Sequence, residues 1–297
     1  MNPKHIILTL LLMLCPIGMA AQSTITRNKP KPAVTKPKPA AKPKAKPKPT
    51  PRRNSTHHSS STVSLSAELN KLINDMVYVS GGTFTMGGTS EQGRDAYPDE
   101  KPTHNVTLSS YYICKYEVTQ ALWRVVMGSN PSNFKGDNLP VESVSWNDCQ
   151  TFINRLNSYT GRNFRLPTEA EWEFAARGGN YSHHYKYSGS NYIGDVAWYD
   201  SNSGNRTHPV GTKQANELGL YDMNGNVWEW CSDWYCSSYS SYSQTDPTGP
   251  NSGSVRVIRG GGWCNDTSYC RASNRHCYAP GNDDCYHIGL RLVLSQL

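Results

Sequence analysis

Aromatic residues and prolines are segregated along this chain of 297 residues. All 8 tryptophans and all 18 tyrosines follow residue 76, whereas 10 of the 19 prolines precede residue 61. A segment with few apolar side chains cannot offset the entropy lost when its backbone becomes ordered. The segregation therefore predicts one sizeable folded domain at residues 68–297. It also excludes multi-span membrane proteins and fibrous repeats.

Charge follows the same division. Residues 1–67 hold 12 of the 30 basic residues and no acidic residue, so the formal charge of +7 averages a basic tail with a body of −5. Lysine and proline alternate at residues 29–53, which favours an extended polyproline II chain with a reach of roughly 75 Å. We interpret residues 22–67 as a Lys/Pro-rich disordered linker. It is a spacer or a segment that contacts an anionic envelope polymer, and its lack of aromatic side chains argues against nucleic acid.

The first 21 residues have the pattern of a secretory signal peptide. Lys4 precedes an apolar run at residues 6–14, and small residues follow at Ala20 and Ala21. The alternative is a membrane anchor, but the apolar run is short for a hydrocarbon layer of about 30 Å. We therefore expect an exported protein, periplasmic or at the cell surface or secreted, with no transmembrane span after cleavage.

Eight cysteines remain after this segment. An even number of cysteines in an exported chain favours disulfides, although the connectivity stays open. There is no Cys-x-x-Cys pair, so a structural zinc site is not expected. The eight are Cys114, Cys149, Cys231, Cys236, Cys264, Cys270, Cys277 and Cys285.

Three helices are marked by their starting residues. Thr119 caps a short helix that ends at Gly128, and capping boxes at Ser145 and Thr168 begin two more. Residues 76–86 predict two short strands around a Gly-Gly turn, and residues 106–116 predict another strand-like stretch. After residue 179 the chain predicts long ordered loops with short strands.

Six ordered motifs resemble the formylglycine-generating enzyme family, also called the sulfatase-modifying factor family. They are Tyr116-Glu117-Val118-Thr119, Pro140-Val141 with Val144-Ser145-Trp146, Arg165-Leu166-Pro167-Thr168-Glu169-Ala170-Glu171-Trp172-Glu173, Gly225-Asn226-Val227-Trp228-Glu229-Trp230, Arg259-Gly260-Gly261 and Ile288-Gly289-Leu290-Arg291. The resemblance covers about residues 76–297. It implies an α+β fold, a C-type-lectin-like variant with little regular secondary structure and long ordered loops.

The resemblance also implies an activity, which is copper- and dioxygen-dependent oxidation of a cysteine in a client protein or peptide, such as a sulfatase, to formylglycine. Of the two cysteines that the family uses, Cys270 matches the second. Asn265 stands at the first position, Cys264 lies one residue early, and Gly262 replaces a serine. A shift of one residue on an extended strand turns the side chain to the opposite face, whereas in a tight loop it need not.

Two interpretations of these cysteines remain open. Soft thiolates favour Cu(I), so a catalytic pair of Cys264 and Cys270 is chemically possible. The alternative is that both are structural half-cystines, with Cys231 or Cys236 as partners. We expect lost or altered oxidase activity, and the alternative function is a non-catalytic protein- or glycan-binding or scaffold domain at the cell envelope.

Calcium is the second cofactor that the resemblance implies. Calcium takes six to eight oxygen ligands, and an irregular loop supplies them from carboxylates and the main chain. The first ligand set is Asn224, Gly225, Val227 and Glu229, in which Glu229 gives a side-chain oxygen. A weaker second set is Asp195, Val196, Asn202 and Gly204. The alternative for Glu229 is a buried ion pair with an arginine.

Overall fold

The computed structural model describes residues 64–283, 285–295 and 297. The expected signal peptide at 1–21 and most of the linker at 22–67 lie outside the described residues. Within the described residues, no helix is both long enough and apolar enough to cross a membrane.

The described residues contain five α-helices, three short 3-10 helices and eleven strands. The helices are α1 (Leu65–Asn74), α2 (Gln120–Met127), α3 (Trp146–Thr160), α4 (Glu169–Ala176) and α5 (Ile193–Val196), among the described residues. The strands are β1 (Met76–Val79), β2 (Gly82–Met86), β3 (His104–Leu108), β4 (Tyr111–Cys114), β5 (Phe164–Arg165), β6 (Trp228–Trp234), β7 (Gln244–Thr245), β8 (Arg256–Arg259), β9 (Arg275–Tyr278), β10 (Ile288–Gly289) and β11 (Val293–Leu294). Between α5 and β6 the chain is irregular, as the sequence predicts.

The strands form three small sheets. The first has the order β1-β4-β11-β5 and is antiparallel throughout. The second has the order β10-β6-β8-β9, with β10 parallel to β6 and the other pairs antiparallel. In the third, β2 pairs antiparallel with β3, and β3 pairs parallel with β7. Short helices combined with mixed sheets confirm the α+β class.

All three helices predicted from the sequence are present. The Thr119 side chain accepts a hydrogen bond from a first-turn N–H of α2, and Gly128 ends that helix in the left-handed conformation at φ 80°. Ser145 and Thr168 form reciprocal capping boxes at the starts of α3 and α4. Helix α1 was not predicted, because its capping residue Ser64 lies in a serine-rich stretch that resembles a linker.

The two predicted strand regions are divided between sheets. Strands β1 and β2 both form within residues 76–86, but each pairs with a different partner in a different sheet. The stretch 106–116 is two strands, not one, because the chain turns at Ser109 and Ser110. The Ser109 N–H and hydroxyl donate to the Asp246 carboxylate, and the Gly81 N–H donates to the Ser110 hydroxyl. These hydrogen bonds fix the turn between β3 and β4.

Two apolar clusters fill the interior. In the first, α2 and α3 pack with Trp123 stacked on Phe152 at a centroid distance of 4.8 Å. In the second, Trp172 and Phe174 of α4 pack between the sheets. Helix α4 is buried along its whole length. Its carboxylates can be buried because arginines pair with them, as Arg259 does with Glu173. This helix and strand β6 position the loops described next.

Candidate functional site

The segment after β8 carries the residues of the expected catalytic pattern. Gly260 and Gly261 leave the strand with φ of 100° and 75°, a conformation that other residues rarely adopt. A Cβ atom on Gly261 would lie 2.7 Å from the Cys270 sulfur, so only glycine fits there. The glycine pair therefore lets the buried Cys270 side chain pack directly against the backbone at the start of this loop.

Asn265 occupies the family's first cysteine position and is held there by its side chain. Its Oδ1 accepts a hydrogen bond from the Trp228 indole N–H at 2.8 Å and another from the Gly262 N–H at 3.0 Å. The preceding residue, Cys264, is exposed, whereas Cys270 is fully buried. The shift of one residue thus places the two cysteines in different environments, although Cys264 lies in a turn and not on an extended strand.

The Cys270 thiol is held in its protonated form. Burial raises its pKa well above the usual range, and the nearby charges of Asp266 and Asp200 raise it further. A copper ion needs thiolate ligands, and an amide such as that of Asn265 is a poor ligand for Cu(I). The residues present therefore do not fit the two-thiolate copper site that the resemblance implies.

Disulfides were expected but do not form between the suggested partners. Cys231, Cys236, Cys270 and Cys277 are all free thiols. Cys114 and Cys149 are also free, and burial raises the pKa of both thiols. The proposed pairing of Cys270 with Cys231 or Cys236 is therefore absent.

Aromatic side chains surround the loop and form what we call the aromatic rim: Trp228, Trp263, Tyr269, His276 and Tyr286. Trp263 and Tyr286 stack at 5.9 Å, and Trp228 lies 6.4 Å from Tyr269 and 5.9 Å from His276 between ring centroids. Tyr286 is 48% exposed. Beside the rim, burial and the neighbouring His276 lower the pKa of His287 to about 4, so that imidazole is neutral at pH 7. The exposed rings of Tyr286 and His276 offer faces for stacking.

Glu229, the proposed calcium ligand, forms the buried ion pair that was its alternative. Both of its oxygens accept hydrogen bonds from the Arg291 guanidinium at 2.7–3.1 Å, and one also accepts the Trp172 indole N–H at 2.7 Å. Asn224 is also engaged: its Oδ1 accepts from the Ser188 N–H, and its Nδ2 donates to the Cys270 carbonyl. Both side chains are engaged in hydrogen bonds within the protein, so neither is free to bind calcium.

Two carboxylates that the sequence analysis missed lie against this same loop. Glu117 accepts from the Asn226 amide at 2.7 Å and the Val227 N–H at 3.1 Å. Burial, with Asp222 and Glu229 adding negative charge, raises the Glu117 pKa well above its usual range. The Asp222 Oδ2 atom accepts a hydrogen bond from the Gly211 N–H at 2.7 Å, and burial raises the pKa of this carboxyl to about 6.

The Asp222 Oδ1 atom is buried and has no hydrogen-bond partner among the described residues. Glu117, Asp222 and Glu229 bring three carboxylates around one guanidinium, that of Arg291. An orphaned oxygen and this excess of negative charge fit a cation at the loop, with Asp222 rather than Asn224 giving the side-chain oxygen. The described residues nevertheless contain no cluster of three or more His, Cys, Asp or Glu that could hold a metal, so main-chain oxygens would have to complete the site.

The polar side chains of the second calcium set, Asp195 and Asn202, make hydrogen bonds to nearby residues. Asp195 accepts from the Ser190 hydroxyl at 3.2 Å. Asn202 accepts from the Tyr199 N–H and donates to the Ala197 carbonyl. Val196 is buried, and Gly204 adopts φ 62°. These side chains thus bond to residues no more than five positions away in the chain.

The whole-chain comparison decides the family. The sequence model of the "Sulfatase-modifying factor enzyme 1-like domain" matches residues 62–296. The chain belongs to the sulfatase-modifying factor family. "Chaperone protein LppX" of Paenibacillus barcinonensis is 37% identical over 276 residues, which cover 75% of this chain and 90% of that protein. The formylglycine-generating enzyme of Thermomonospora curvata is 30% identical over 294 residues, with 75% and 94% covered.

A solved relative has the same fold. "Treponema denticola variable protein 1" superposes with a TM-score of 0.67 at 35% identity, covering 74% of this chain and 94% of the other. The sulfatase-modifying factor fold expected from the motifs is thus confirmed. Proteins with different names share this fold, so the family alone does not give this chain an activity.

Proposed function

We propose that this member of the sulfatase-modifying factor family does not generate formylglycine and acts as an exported binding domain. The observation that carries the proposal is Asn265, whose amide oxygen is fixed by Trp228 and Gly262 at the position where the family's first catalytic cysteine would stand. Oxidation of a client cysteine by the family's chemistry needs two thiolates aimed at one copper ion. Here the second position holds a buried thiol with a raised pKa.

The aromatic rim is the surface that we propose for binding a protein, peptide or glycan. Tyr286 and His276 are exposed and Tyr269 is half-buried, while the buried Trp228 and Trp263 pack behind them. Exposed rings on a packed support suit stacking on another molecule. The relative from Paenibacillus barcinonensis is named a chaperone protein, which is consistent with a binding role in this family. Export remains part of the proposal and rests on the pattern of residues 1–21.

An oxidation assay tests the loss of catalysis. The copper-treated protein is incubated with a Cys-x-Pro-x-Arg peptide in air, and mass spectrometry follows conversion of the cysteine to the aldehyde. We expect no product above that of copper alone, while the Thermomonospora curvata enzyme in the same assay serves as the positive control. Turnover that disappears in the Cys270→Ser variant would overturn the proposal.

A binding assay tests the surface. Peptide and glycan arrays identify a ligand for the intact protein, and Tyr286→Ala is expected to weaken that binding about tenfold, because stacking of one aromatic ring is worth about 1 kcal/mol or more. Tyr192→Ala is the matched control, since Tyr192 is 77% exposed and lies outside the rim. Equal losses in both variants would remove the rim from the proposal.

A further inference from the structure

A cavity lies at the C-terminal end of strand β6, whereas the aromatic rim lies at the start of that strand. The cavity has a volume of about 430 Å³ and is bounded by the start of α4, the end of β6 and the loop that follows it. That volume is within the range of sites for small ligands. Trp228 of the aromatic rim begins β6 and Trp234 ends it, which at 3.3 Å per residue separates the two places by roughly 20 Å. The cavity is therefore distinct from the aromatic rim.

Most of the charge that lines this cavity is already paired. Arg275 donates to both oxygens of Glu169 at 2.7 and 2.6 Å, and its remaining nitrogen donates to two backbone carbonyls. Asp246 receives the N–H and the hydroxyl of Ser109 on its two oxygens. These groups hold the walls in place and have little capacity left for a ligand.

Asp233 is the exception. It is 4% exposed, and both of its hydrogen bonds, from the Glu169 N–H and the Ser232 hydroxyl, end on Oδ2 at 3.0 Å. It forms no salt bridge with any described residue, and the nearby Arg256 guanidinium is held between two tryptophan rings. A buried carboxylate without a cation carries a large desolvation cost.

A second polar group in the wall also lacks a partner. His104 is 5% exposed, and its ring lies 5.1 Å from that of Tyr239. Its Nδ1 atom is buried and makes no hydrogen bond within the described part of the chain. Buried polar atoms are nearly always satisfied, so an unpaired nitrogen in the wall of an open cavity points to a ligand that completes it.

We propose that this cavity binds a primary ammonium or guanidinium group carried on a short aliphatic stem, with Asp233 as its counter-ion. A cation compensates the buried carboxylate, and its N–H groups donate to both Asp233 and the unpaired Nδ1 of His104. Met86, Ala170 and Pro250 give apolar walls along which the stem packs. The proposal does not depend on whether oxidase activity has been lost.

Calorimetric titration of the full-length protein tests the ligand chemistry. The probes are Nα-acetyl-lysine amide, Nα-acetyl-arginine amide and 1,5-diaminopentane, and Nα,Nε-diacetyl-lysine amide is the neutral control. We expect saturable binding of charged probes that weakens as salt is added, and none of the neutral one. Stronger binding of the amino-acid amides would indicate a peptide side chain as ligand, whereas stronger binding of the diamine would indicate a free amine.

Variants then place the binding in the cavity. Asp233→Asn keeps an acceptor for the start of α4 but removes the charge, and should weaken binding about tenfold or more, the loss expected for a charge-assisted hydrogen bond. Ser238→Tyr, at an exposed position on the lining, should block entry without altering buried residues. Asp283→Asn removes an exposed carboxylate outside the cavity lining and is the matched control. The proposal is overturned if charged probes fail to bind at about 10 mM, or if Asp233→Asn binds them as tightly as the parent.

Discussion

Asn265 shows how one residue changes the chemistry available to a loop. An amide oxygen is a strong acceptor, and here it receives two N–H groups that come from different segments, β6 and the glycine turn. A thiol is a weak acceptor and would leave those donors poorly satisfied. The asparagine therefore stabilises the loop in the conformation that exposes the neighbouring Cys264.

Removing the amide should destabilise the domain. In Asn265→Ala the Trp228 and Gly262 N–H groups lose their acceptor, and we expect a loss of about 1–2 kcal/mol in the free energy of unfolding. Urea denaturation measures it, and Asn251→Ala on an exposed loop is the control. A loss no greater than that of the control would show that these bonds are not important.

Asp233 should make stability depend on pH. Burial, with the charge of Glu169 adding to it, raises its pKa to about 7 from 3.8. The folded state therefore binds this proton more tightly than the unfolded state, and the associated stability is present below about pH 4 and lost as pH rises through 7. Asp233→Asn should be more stable than the parent at pH 8 by on the order of 1–3 kcal/mol, with a smaller difference at pH 4.5. Chemical denaturation at both values measures this, and a pH-independent difference contradicts it.

Sequence reasoning reached the catalytic positions but not the acids around them. The departures at Gly262 and Asn265 are visible because the motif has fixed spacing. Asp222 gave no such signal, since its unpartnered Oδ1 results from contacts between segments far apart in the chain. Glu117 belongs to the motif Tyr116-Glu117-Val118-Thr119. A carboxylate between an aromatic residue and an apolar residue was the one sequence clue that this side chain is buried.

At the scale of elements, local signals were read correctly and non-local ones were not. Capping boxes at Ser145 and Thr168 involve residues three positions apart, so the sequence contains them completely. Strand pairing joins distant segments, and nothing local showed that residues 106–116 serve two sheets. The start of α1 was missed because Ser64 fits a linker as well as a cap.

Helix α4 gives a test of capping in a buried setting. Thr168 accepts from the Glu171 N–H at 3.1 Å, while the Glu171 carboxylate accepts from the Thr168 N–H at 2.8 Å. Thr168→Ala should cost about 1–2 kcal/mol of stability by thermal or urea unfolding. Ser158→Ala, on the exposed face of α3, should change stability by less than about 0.5 kcal/mol. Similar effects of the two substitutions would contradict the capping role.

At the scale of the whole molecule, the excess negative charge around the loop from Asp222 to Glu229 predicts dependence on calcium. A calcium ion that binds only the folded state stabilises that state by mass action. Removing the ion with a chelator should therefore lower the melting temperature by about 5 °C if the site is well occupied. Differential scanning calorimetry with and without a calcium chelator measures the shift. In Asp222→Ala the shift should vanish, because the orphaned oxygen is gone. An unchanged melting temperature in the parent protein would argue against calcium.

Strand β11 lies inside the first sheet, between β4 and β5. Both neighbours precede Val293 and Leu294 by a long stretch of chain, so this sheet cannot close until β11 has been synthesised. Pairing over such long sequence separations also slows folding once the chain is complete. The order of the strands thus makes closure of the first sheet a late event, because it waits for the strand that is synthesised last of the four.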